Sequence, residues 1–267
     1  MKIALVGTSQ IIKNRSINKD LNGGYGTNDS FGNSISSKIF TILRGRSVNL
    51  PLLSFVYVYT ILKNKGHIVE YFPSKIPKHY FDIFVLYGSI VDYKMENNVA
   101  GELKKKYSQS KVGFIGPFPE IMPDLFSNAD FIIGGEPDAY FKYQFESIET
   151  MDGIIKVNKL MDMDALPKPD YSGFPIKSYK YKPILNKSPF LTIQSSRGCP
   201  YSCGHYCTYP TSQGNKVRYR DINLIIEDIN YMKKHFLMKS LLFRDPIFGI
   251  NKKYPILLSE KLIENNI

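Results

Sequence analysis

The stretch Phe190-Leu-Thr-Ile-Gln-Ser-Ser-Arg-Gly-Cys-Pro-Tyr-Ser-Cys-Gly-His-Tyr-Cys207 joins a short apolar run to every cysteine of the chain. Residues 190–194 mix aromatic and β-branched side chains, which predicts a strand. Cys199, Cys203 and Cys207 then fall inside nine residues. Thiolates this close can share one inorganic centre. A four-iron cubane held by three cysteines keeps one iron open for a substrate or cofactor. The same residues leave other states open. A structural zinc usually takes a fourth ligand, and His205 is the near candidate. Its place between two cysteines suits a shared tetrahedron poorly, and no paired Cys-x2-Cys knuckle is present. Unligated buried thiols are the plain alternative. An odd number of cysteines in one loop makes a poor disulfide framework, so reduced thiols in a cytoplasmic protein fit better.

Downstream of the loop, Asp221 predicts the N-cap of a helix over residues 222–236. Ile222, Ile225, Ile226 and Ile229 form its buried stripe. Residues 240–244 predict a second strand, ending in Asp245-Pro246, and residues 253–265 a last helix. The cysteine loop therefore sits at the carboxyl end of the first strand of a new unit, where βα barrels carry their chemistry. Asp245 either points at that site or caps a turn. Arg218 and Arg220 are read first as placing the loop, and second as contacting an anion. His205 reads as a neighbour of the site or a surface residue before it reads as a ligand.

Upstream, strands alternate with helices. Strands are predicted over residues 2–7, 67–72, 82–87, 111–115 and 131–133, and helices over 50–65, 91–107, 119–126 and 138–148. Asn49 is the expected cap of the first helix. Residues 8–49, rich in Gly, Asn and Ser, read as one long loop. The alternation predicts βαβ units and a parallel sheet. Its strands end in Gly or small polar residues, which either let a ligand approach the backbone or serve ordinary tight turns. Residues 151–189 form a connector with a short strand at 153–157. Prolines at 167 and 169 keep part of it extended.

With 43% hydrophobic and 13% aromatic residues, the 267-residue chain can bury a proper core. No apolar run is long enough to span a membrane, and the apolar start at residues 3–7 is too short for a signal sequence. The net charge of +11 invites a nucleic-acid reading. The lysines are scattered, however, and the densest run is Lys104-Lys105-Lys106 on a helix face. The charge is read as a solvated basic surface that also suits an anionic cofactor.

The pattern Arg197-Gly-Cys-Pro-Tyr-Ser-Cys203, followed by Tyr206-Cys207 and preceded by a strand, resembles the radical S-adenosylmethionine superfamily. The resemblance implies that Cys199, Cys203 and Cys207 ligate three irons of a [4Fe–4S] cluster and that S-adenosylmethionine chelates the fourth. It also implies that Tyr206 lies against the adenine, that one electron cleaves the sulfonium to a 5′-deoxyadenosyl radical, and that flavodoxin or ferredoxin supplies the electron. The usual spacing is Cys-x3-Cys-x2-Cys. Here it is Cys-x3-Cys-x3-Cys, and Gly204 has the backbone freedom to absorb the extra residue.

Leu50-Pro-Leu-Leu-Ser54, Leu62-Lys-Asn-Lys-Gly-His67 and the turn Gly134-Gly-Glu-Pro-Asp138 are similar to the cobalamin-binding domain fused to many radical S-adenosylmethionine enzymes. Leu166-Pro-Lys-Pro-Asp170 is similar to the linker in the same enzymes. This second resemblance covers about residues 1–150. It implies cobalamin at the strand ends, with Gly88, Ser89, Gly116, Gly134, Gly135 and Glu136 as binding residues. The Asp-x-His-x-x-Gly motif of cobalamin-ligating domains is absent. His67 and His79 lack its context.

Together these readings predict an α/β protein. A Rossmann-like, flavodoxin-like parallel-sheet domain (1–150) and a linker (151–189) precede the start of a partial TIM barrel (190–267). Six βα units need roughly 200 residues, so the barrel reads as truncated: a fragment, a shortened gene product, or a sheet that a partner completes; an open edge predicts poor solubility or an incomplete enzyme. The expected function is reductive cleavage of S-adenosylmethionine for cobalamin-linked methyl transfer, or related radical chemistry, on a small-molecule substrate. A non-catalytic cobalamin- or cluster-binding module needing a partner is the alternative, and a basic zinc protein is a third.

Overall fold

Side chains that alternate between two buried faces build the first sheet. Ile3 and Leu5 pack into one core, and Ala4 and Val6 into another on the opposite face. Ile83 and Val85 repeat the pattern against Phe84 and Leu86. Successive strand residues point to opposite faces, so a run apolar at every position demands cover on both sides. The computed structural model supplies it. Residues 1–8, 17–19, 26–28, 31–201, 203 and 207–267 are described.

Strands β1 (Lys2–Val6), β2 (Ile68–Phe72), β3 (Ile83–Tyr87), β4 (Lys111–Ile115), β5 (Phe131–Ile133) and β6 (Gly153–Ile155) form one sheet in the order β2-β1-β3-β4-β5-β6. Every pairing is parallel. This is the doubly wound order of flavodoxin-like folds, with its switch point between β1 and β3. The expected parallel α/β domain is therefore present. The short strand predicted in the connector joins it as the sixth strand.

The helices are α1 (Ile35–Ser47), α2 (Leu53–Asn64), α3 (Tyr93–Lys106), α4 (Pro117–Ile121), α5 (Pro137–Tyr143), α6 (Tyr209–Gln213), α7 (Ile222–Phe236) and α8 (Lys253–Glu264). One core combines α2 and α5 with one face of the sheet, and the other combines α3 with the opposite face. Several local expectations shift. α1 lies inside the segment read as loop. Ser34 caps it, accepting from the Ser37 amide at 3.1 Å, a cap worth about 1 kcal/mol. α2 begins at Leu53, after Pro51, rather than behind an Asn49 cap. The helix predicted over 138–148 ends at Tyr143 and resumes as a 3-10 turn, Ile148–Thr150. The helix predicted over 119–126 splits into α4 and the 3-10 turn Pro123–Phe126, because Pro123 cannot donate within a continuing helix.

The second half contributes β7 (Phe190–Ile193), β8 (Ser196–Arg197), β9 (Arg218–Tyr219) and β10 (Ser240–Phe243). β7 and β10 pair in parallel, with α7 crossing between them and α8 following. These are two βα units. Asp221 caps α7 as expected, accepting from the Asn223 amide at 2.8 Å. Ile225, Ile229 and Met232 of α7 join the core that contains Ile83 and Phe131 of the first sheet. No helix among the described residues is long and apolar enough to cross a membrane.

Candidate functional site

The carboxyl ends of both parallel sheets open on one cleft of about 90 Å³. Tyr87, Gly116 and Gly135 line it from the ends of β3, β4 and β5. Gln194 and Arg244 line it from the ends of β7 and β10, and Tyr209, Ser212 and Gln213 from α6. Strand ends of parallel sheets are where ligands bind in such folds, and here two sets converge.

The cysteine loop is held at its neck. β8 and β9 pair antiparallel, with Ser196 opposite Tyr219 and Arg197 opposite Arg218. Beyond them the Cys199 amide donates to the Gly214 carbonyl at 3.1 Å. Gly198 (φ +88°) lets the two arms meet, since a Cβ there would lie 2.1 Å from the Lys216 carbonyl oxygen. Cys199 is buried, Cys203 exposed and Cys207 half-buried, and all three thiols are free. Among the described residues no three Cys, His, Asp or Glu side chains are gathered as a metal site. Tyr206, with Gly204 and His205, lies outside the described residues. By chemistry the donor set suits a three-thiolate cluster: three cysteines without disulfide partners are carried on one loop whose neck is hydrogen-bonded closed.

Two arginines tie this neck to the first sheet. Arg197 donates to Asp138 Oδ1 at 3.1 Å, and its other terminal nitrogen lies 2.8 Å from Asp138 Oδ2. Arg218 donates to Glu136 Oε1 at 2.7 Å and to Oε2 at 3.1 Å. Glu136 also accepts from the Met161 amide at 2.6 Å. Glu136, Asp138 and Arg197 are all buried. Burial pulls the Arg197 guanidinium down, and the two carboxylates more than reverse it, so it stays cationic. Arg220 is engaged elsewhere, donating to the Leu166 carbonyl and pairing with Asp228 at 3.0 Å. Asp245 accepts from the Ser195 amide at 2.7 Å and the Ser196 hydroxyl at 3.0 Å. It therefore braces the end of β7. Burial pushes its carboxyl above the ordinary range, against these donors.

The strand-end residues expected to hold cobalamin contact the chain itself. A Cβ on Gly88 would lie 2.2 Å from Pro119, and one on Gly134 would lie 2.8 Å from the Glu120 carboxylate. The Gly135 amide donates to that same carboxylate at 2.9 Å. The Ser89 amide and hydroxyl donate to Glu96 at 2.7 and 2.6 Å, and Glu96 pairs with Lys19 at 2.6 Å in full burial. Gly116 (φ +116°) serves the turn into α4. Gly88 and Gly134 are close-packed against the chain itself, whereas Gly116, Gly135 and Glu136 also line the cleft. Arg197 and Asp138 belonged to motifs legible in the sequence, yet nothing local signalled that they pair.

No family model matches the chain. It is 25% identical over 230 residues, 82% of its length, to an "uncharacterized methyltransferase" of Synechocystis sp., covering 40% of that protein. It is 25% identical over 61% of its length to the bacteriochlorophyllide d C-12(1)-methyltransferase of Chlorobaculum tepidum, covering 35% of that protein. It is 29% identical over 56% of its length to the hopanoid C-2 methylase of Rhodopseudomonas palustris, covering 28% of that protein. The chain thus spans well under half the length of these relatives. What they have in common, and what the chain resembles at low identity, is enzymes named for methyl transfer.

Proposed function

We propose that this chain is the N-terminal part of a methyl-transferring enzyme of the radical S-adenosylmethionine type. In it Cys199, Cys203 and Cys207 hold a [4Fe–4S] cluster at the cleft between the two sheets. The observation that carries the reading is that all three cysteines lie on the one loop that follows β7, and that Arg197 at its neck and Tyr209, Ser212 and Gln213 just beyond it line the cleft shared with the strand ends of the first sheet. The methyltransferase relatives support it. When bound, such a cluster supplies one electron for reductive cleavage of S-adenosylmethionine.

The chain's own residues account for the rest of the site. Arg197 and Arg218 fix the neck of the loop, Gly198 lets its arms close, and Asp245 braces the strand that feeds it. The cleft is lined by polar groups from Gln194, Ser212, Gln213 and Arg244, which suits a charged, hydrogen-bonding cosubstrate such as S-adenosylmethionine. Tyr206 is proposed as its adenine contact. β7, α7, β10 and α8 are proposed as the first two units of a barrel after a domain over 1–150 and a linker over 151–189. A small-molecule substrate and a flavodoxin- or ferredoxin-like electron donor complete the proposal. Cobalamin at the strand ends of the first sheet stays part of the proposal, since Gly116, Gly135 and Glu136 line the same cleft.

Iron and acid-labile sulfide, measured after anaerobic reconstitution, test the reading. About four of each per chain are expected, and replacing all three cysteines with alanine should abolish them. One bound zinc with no sulfide overturns it.

A further inference from the structure

Arg197 and Arg218 stand directly opposite each other on β8 and β9, so two guanidiniums meet at the neck of the cysteine loop. Like charges at such a pair repel unless each finds its own counter-charge. Both find it on a single turn, 59 to 82 residues away in the sequence. Asp138 takes Arg197, Glu136 takes Arg218, and Glu136 Oε1 lies 3.4 Å from Arg197 as well. One buried and one partly buried cation balance two buried anions. Arg197 is further fixed by Gln194 Oε1 at 2.9 Å and lies over the Tyr57 ring. Cys199 follows two residues later and is buried; Cys203, farther round the loop, is exposed.

The geometry points to Glu136 and Asp138, on the turn that leads from β5 into α5, as positioning residues for the cysteine loop: they hold its neck shut and fix the place of Cys199. Their role is to act through Arg197 and Arg218. Both also line the cleft. As a role at the proposed cluster it rests on the reading above; as a property of the chain it is measured without iron. The physical reason is that a neutral Asn at 138 keeps shape but strips Arg197 of its nearer counter-charge, leaving it to share Glu136 with Arg218. The buried cation then gains from moving toward water. That movement peels β8 from β9 and opens the neck.

The test is per-cysteine alkylation of the metal-free, reduced full chain with iodoacetamide, read by peptide mass spectrometry. In the wild type Cys199 should react about tenfold or more slowly than Cys203, as buried sites do when only local opening exposes them. Asp138→Asn should raise the Cys199 rate about tenfold and leave Cys203 unchanged, and Asp138→Glu, which restores the charge, should recover most of the protection. An unchanged Cys199-to-Cys203 ratio in Asp138→Asn overturns the inference. So does the absence of recovery in Asp138→Glu. Should Asp138→Asn lose its cooperative thermal melt, Glu136→Gln is read by the same ratio, and no change there overturns it equally. Failure of the wild type to take up iron defeats the cluster alone, since these thiol rates are measured without it.

Discussion

The two parallel sheets differ in how completely they are covered. All five residues of β3 are buried, and all four of β10 are only half-buried. β3 is flanked by β1 and β4, whereas β10 pairs with β7 alone among the described residues. A finished sheet uses its strand-end glycines for its own packing, as Gly88 does against Pro119 and Gly134 against Glu120. The short sheet carries the cysteine loop, whose three thiols are free. The proposed chemistry is placed on the smaller sheet, and the larger one braces its loop through Glu136 and Asp138.

Core truncation should break this comparison most sharply. Phe84 is fully buried between Phe81 and Tyr107, so Phe84→Ala should cost about 3–5 kcal/mol. Leu241→Ala on half-buried β10 should cost about 1–2 kcal/mol. Urea titration of both variants checks it, and equal losses would erase the distinction between the sheets. Next in size is the buried pair at the β1/β3 switch. Glu96→Gln leaves the Lys19 ammonium without a charge partner and should cost about 3 kcal/mol, with the reactivity of Cys199 unchanged.

A pH-dependent difference of similar origin separates the second half. Burial raises Asp228 to about 6, against the pull of Arg220. Between the unfolded carboxylate value near 4 and that folded value, the native state binds the extra proton. Stability from this group is thus fullest below pH 4 and is lost as pH rises to 6, by about 3 kcal/mol at most. Melting curves across that range should show a shallower fall for Asp228→Asn than for the wild type. Smaller still is Gly88→Ala, which forces a methyl onto Pro119 and should cost about 2 kcal/mol. If added cobalamin protected the wild type but not this variant from thermal unfolding, the packing explanation of that glycine would fail.

Much of the fold was legible because it depends on local pattern. Apolar runs bounded by glycines located β1, β3, β4 and β5, and isoleucines at helical spacing located α7 behind Asp221. Where local signals mislead, the elements moved. A serine cap outweighed the polar composition around α1, and Pro123 divided a predicted helix. The candidate site was legible in part. Three cysteines in one loop announced themselves, but the strand-end glycines looked alike whether they served a ligand or a proline ring.

Local chemistry along the chain was sufficient for the α/β class, the order of its strands and helices, and the one loop able to carry three thiolates. Only the tertiary structure decided which charges meet. Arg197 with Asp138, Arg218 with Glu136, and Lys19 with Glu96 are pairs separated by 59, 82 and 77 residues. Burial is what makes such pairing obligatory, because a charge removed from water must find its opposite in the folded chain. No spacing along the sequence records which opposite that will be.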